Sequence, residues 1–104
     1  MNTSPDLIKE NLHAVFLEMA DQPAVGASYP PNQADFGGHM GLLREWIEDH
    51  REYGLAYESI VEALETLPFR LSGAAAVKLL EVGLLFGFKT ERHQDARFDV
   101  RSKP

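Results

Sequence analysis

Ala74 to Phe88 is the stretch that most constrains the fold. Its fifteen residues are apolar apart from Lys78 and Glu81 and a few small positions. That is too short and too charged to cross a bilayer, which needs about 20 apolar residues. As a helix of about Gly73 to Phe86, capped by Ser72 and stopped at Gly87, it is apolar nearly all the way round. Such a helix is expected to be enclosed by its neighbours, so the rest of the chain has to supply helices to cover it.

The periodicity supplies three. Ser4-Pro5-Asp6 is a helix start, with a capping hydroxyl, a proline at the first helical position and an acid in the first turn. Ile8, Leu12, Val15, Phe16 and Met19 then recur at spacings of three and four, predicting a helix over 5–20. A second helix is predicted from about Gly37-Gly38 to His50, with Met40, Leu43, Trp46, Ile47 and His50 on one side. A third, about Leu55 to Leu67, carries Leu55, Ala56, Ser59, Ile60, Ala63, Leu64 and Leu67, with Tyr57, Glu58, Val61, Glu62 and Glu65 outward. Pro68 ends it. Between the first two lie Gln22 to Phe36, whose prolines 23, 30 and 31 are expected to exclude a helix and an inner strand and predict a surface loop or ordered crossover pinned by Val25, Tyr29 and Phe36. Residues 89–104 read as a charged, flexible tail, with strand formation conceivable only around 88–90 or 98–101. The expected fold is all-α: one domain, a bundle of about four helices over 1–88, followed by the tail.

Charge narrows the function classes. The chain has 104 residues, no cysteine and a net charge of −6. Disulfides, thiolate nucleophiles and cysteine-based zinc sites are excluded, and an acidic chain is poorly suited to nucleic acid. No signal-peptide pattern opens the sequence, so a cytoplasmic protein is expected. The acid is concentrated: residues 41–67 hold seven carboxylates against Arg44 and Arg51, while residues 68–104 are net +3.

Chemistry-bearing motifs are scarce. His13, His39, His50 and His93 form no pair at helical spacing, and no serine sits in a Gly-x-Ser-x-Gly elbow. His13 and His39 are expected at the surface. No cofactor or metal is implied, although a site assembled across helices stays open. An enzyme is not expected. What stands out is a surface: Glu45, Glu48, Asp49, Glu52, Tyr53, Tyr57, Glu58 and Glu62 set tyrosines among carboxylates. Rigid rings with flanking acid suit docking of a basic protein. Ordinary solvated charge over a core edge explains the same residues.

The run Ile47 to Ile60, with Glu52-Tyr53-Gly54-Leu55-Ala56 and Glu58 at its centre, followed by Leu64, Leu67, Ser72 and Leu79-Leu80-Glu81, resembles the small helical immunity proteins of the MafI type. Those stand beside polymorphic and contact-delivered bacterial toxins. The resemblance spans residues 41–88 and implies a non-catalytic cytoplasmic protein, monomeric or weakly dimeric, that binds and neutralises a cognate toxin domain. A basic, nuclease-like toxin would match the acidic surface, with neither nucleic acid nor membrane as partner. In that reading Gly54 makes the tight turn between helices. The alternatives are a helical adaptor, possibly dimeric through the last helix or the Trp46 region, and a small metal-dependent enzyme.

Overall fold

A computed structural model describes residues 5–86. The Ser4 cap, Gly87, His93, the tail and both conceivable strands lie outside them. Helix α1 runs Pro5–Ala20, and its five periodic apolar residues are all buried. It is the hub of the bundle, touching α2 (Phe36–Arg44), α3 (Tyr53–Thr66) and α4 (Gly73–Leu85). The described residues contain helices and turns and no strand, so the fold is all-α.

Helix α4 runs antiparallel to α1. Near the end of α1, Glu18 accepts hydrogen bonds from the Ser72 hydroxyl (2.6 Å) and backbone N–H (2.8 Å). These bonds hold the Glu18 carboxyl below the usual carboxylate range. Ser72 also caps α4, accepting from the Ala75 N–H at 3.1 Å. Halfway along, the buried Asn11 donates through Nδ2 to the Lys78 carbonyl (3.2 Å) and to Glu81 Oε1 (2.8 Å). A buried amide tolerates desolvation only when paired in this way.

Two expectations about the middle of the chain need correction. The second helix is not α-helical to His50: at Glu45 it widens into one π turn, Glu45–Asp49, with the His50 N–H donating to the Glu45 carbonyl at 3.0 Å. The extra residue leaves Ile47 fully buried but puts His50 out in solvent. The reversal that follows does not use Gly54, which lies in the first turn of α3 with open space around it. Arg51 makes it, at φ 53°, a left-handed conformation that costs a residue with a Cβ roughly 1–2 kcal/mol.

The proline-rich segment is pinned as expected, though it contains a short 3-10 helix, Pro23–Ser28, with proline at its start. Val25 is buried, and the rings of Tyr29, Phe36 and Phe69 pack together at centroid separations of 6.2–6.4 Å. At its other end Gln22 donates to the carbonyls of Glu18 (2.9 Å) and Arg70 (2.7 Å) and accepts from the Arg70 N–H (2.9 Å).

The largest departure concerns α4. It is not enclosed: Val77, Leu80 and Leu84 are 64%, 58% and 46% exposed. Its inner side (Ala75, Val82, Gly83) packs chiefly on α1 and thinly on α3, and no described element covers the outer side. Leu55, expected in the α3 stripe, is also exposed.

Candidate functional site

The acidic residues singled out from sequence fall on the π turn, the reversal after it and α3. Glu45, Glu48, Asp49, Glu52, Glu58 and Glu62 are all exposed. They do not converge on one face. Glu48 and Asp49, at the end of the π turn, look across an open cleft of about 480 Å³ towards α1, whose first turns supply Asp6, Lys9, Glu10 and His13. His13 Nε2 and Glu48 Oε2 lie 3.0 Å apart, and the His13 ring stacks over Phe16. Four carboxylates thus face one lysine and one histidine. Asp6, Glu10 and His13 follow one another at spacings of four and three, so their shared face was readable once the partner element was known.

Glu62 belongs elsewhere. It lines a smaller pocket of about 160 Å³ between α3 and the start of α2, with Gln33, His39, Ser59 and Thr66. The tyrosines are not on the outer surface either. Tyr53 and Tyr57 are half-buried against the core. Tyr57 meets Phe86 edge-on at 5.6 Å and reaches across α4 at Gly83, where an added Cβ would stand 2.7 Å from its hydroxyl. Burial also pushes the Tyr57 phenol up from its ordinary value. A side chain at position 83 would push the Tyr57 ring out of this seat.

One constellation had no sequence signal, because its members come from three separate segments. His39, expected at the surface, is half-buried: Nδ1 lies 2.6 Å from the Tyr29 hydroxyl and Nε2 lies 2.9 Å from Ser59 Oγ. Burial pushes the His39 imidazole below its ordinary value, partly offset by the charge of Glu62, and pushes the Tyr29 phenol up. A neutral imidazole donates on one side and accepts on the other, so one ring ties the proline-rich segment, α2 and α3 together. A serine against a histidine is also the start of a nucleophile–base pair. Ser59 is in the interior of α3, however, where backbone N–H groups are committed to carbonyls one turn back. An acyl-transfer site needs such donors converging on the oxyanion.

Because the folded-state value for His39 is depressed, the unfolded chain binds the extra proton first. The stability contributed by the neutral ring is therefore complete above the ordinary value of 6.5 and is lost as pH falls below it. Urea midpoints should drop between pH 7.5 and 5.5 (roughly the range over which histidine titrates), and His39→Gln should flatten that drop. An unchanged slope in the variant would show that the ring is not strained by protonation.

Among the described residues, no three histidine, aspartate or glutamate side chains are grouped to hold a metal ion, and no helix is long and apolar enough to cross a membrane. Neither a protein-family model, nor a curated protein, nor a solved structure matches the chain.

Proposed function

We propose that the chain is a non-catalytic binding protein of the immunity type, neutralising a cognate toxin domain in the cytoplasm by docking a basic surface against its acidic side. The observation that carries this reading is the cleft between α1 and the π turn. Asp6, Glu10, Glu48 and Asp49 line it, and Glu45 and Glu52 stand exposed on the same turn and the one that follows. Exposed carboxylates around a concavity raise the encounter rate of a cationic partner and fix its orientation. The resemblance over residues 41–88 points the same way. Tyr53 and Tyr57, half-buried against the core, offer a partner only part of each ring.

The Ser59–His39–Tyr29 chain is, in this reading, a latch that fixes the start of α2 against α3. Purified protein mixed with the toxin domain encoded beside it should give an equimolar complex and loss of toxin activity. Absence of a complex at micromolar concentration in low salt would refute the proposal. The adaptor reading is favoured by one observation, the bare apolar side of α4, a surface separate from the acidic residues.

A further inference from the structure

We propose that the outer side of α4 is a self-association surface, on which a second copy of this chain packs antiparallel about a two-fold axis near Leu80. Gly73, Val77, Leu80 and Leu84 follow at spacings of four, three and four, the repeat that keeps an apolar seam facing a partner helix. The three large members are about half exposed or more, and a side chain added at Gly73 would meet nothing within 4 Å. The seam therefore runs the length of α4, 13 residues or about 20 Å, between exposed small residues Ala74 and Ala76.

Charge selects the partner and its direction. Lys78 and Glu81 are exposed beside the seam. Among the described residues Lys78 has no ion-pair partner. In an antiparallel pair with Leu80 opposite Leu80, Lys78 of each copy lies next to Glu81 of the other. A parallel pair would set the Lys78–Glu81 flank of each copy against the Ala76 flank of the other, which offers no charge to meet it. The surface is thus self-complementary in the sense that an isologous dimer requires. A membrane is a poorer occupant. Helices that lie on bilayers carry many basic residues on the polar side, whereas α4 has Lys78 alone and the chain is net −6. A seam of three large side chains on one 13-residue helix is a small interface, and small interfaces are typically weak and transient. The dimer leaves the acidic cleft open and does not depend on the toxin reading.

Sedimentation velocity on the full chain, from micromolar to submillimolar concentration, tests this. The expected mass rises from that of one chain, 11.6 kDa, towards twice that value. Leu80→Glu should weaken association at least about tenfold, since its carboxylate would be buried against the partner, with an unchanged circular dichroism spectrum. Because the chain has no cysteine, Leu80→Cys should cross-link under mild oxidation, whereas Leu17→Cys, about half exposed on α1, should not. Lys78→Glu, which sets a carboxylate against Glu81 of the other copy, should weaken the dimer several-fold; Glu81 is left intact because it pairs with the buried Asn11. A single-chain mass throughout overturns the proposal. So does a dimer indifferent to Leu80→Glu or to Lys78→Glu.

Discussion

Phe69→Ala should be the most damaging single substitution in the link between α3 and α4, lowering stability by about 3–5 kcal/mol. Phe69 is buried although it lies outside any helix. Its ring stacks on Phe36 at 6.2 Å and 28°, and receives Tyr29 edge-on at 6.4 Å. Those two rings belong to the proline-rich segment and the first residue of α2, so Phe69 joins three parts of the chain that sequence separates. Truncation removes the area of one ring and leaves a void that two neighbouring rings line but cannot fill. Domains of this size have about 5–15 kcal/mol in total, and 1 kcal/mol corresponds to roughly 4–8 °C in Tm. A thermal melt should therefore fall by about 12 °C or more. Tyr29 also partners His39, so the variant should lose part of the pH dependence argued for that ring. A change below about 1 kcal/mol would place Phe69 among residues whose neighbours close in freely.

Phe69 shows where sequence reasoning reached its limit. The periodic residues of α1 fixed both its bounds and its buried side, because a helix packed on one side repeats its contacts every three or four residues. A single ring in a six-residue link has no period. The π turn is invisible for a related reason: one inserted residue shifts the register without changing the residue types. His50, spaced to continue the stripe, ends up in solvent. Tyr57 falls outside the apolar stripe of α3 by its spacing, but its hydroxyl reaches over Gly83, a position whose meaning depends on which helix faces it. For α4 the composition was read correctly and the enclosure was not. An all-round apolar helix has to be covered on every side, and within residues 5–86 only α1 and part of α3 are available to do so. Of the acidic surface, the residue types and their exposure were legible; the division into a cleft facing α1 and a pocket beside His39 was not, since it depends on how helices cross.

That division yields the second large effect. Glu10→Lys with Asp49→Lys should slow association with a basic toxin domain by about 10–100-fold at low ionic strength. Glu58→Lys with Glu65→Lys should change the rate several-fold less. Each pair raises the net charge by four units, from −6 to −2, so a difference between them reports the location of the charge and not its total. Glu10 and Asp49 line the cleft on opposite walls, while Glu58 and Glu65 lie exposed on α3. Glu48 is left intact because it pairs with His13, and Glu62 because it acts on His39. All four substituted residues are exposed, so melting temperatures should stay close to that of the parent. Stopped-flow association measured against salt separates the two sites. Screening shortens to about 10 Å at 0.1 M, and the advantage of the parent over the cleft variant should shrink accordingly. Equal slowing by the two pairs would mean the partner responds to the field of the whole molecule. Stronger slowing by the α3 pair would move the docking face to α3, and rates insensitive to both would leave α4 as the surface to test next.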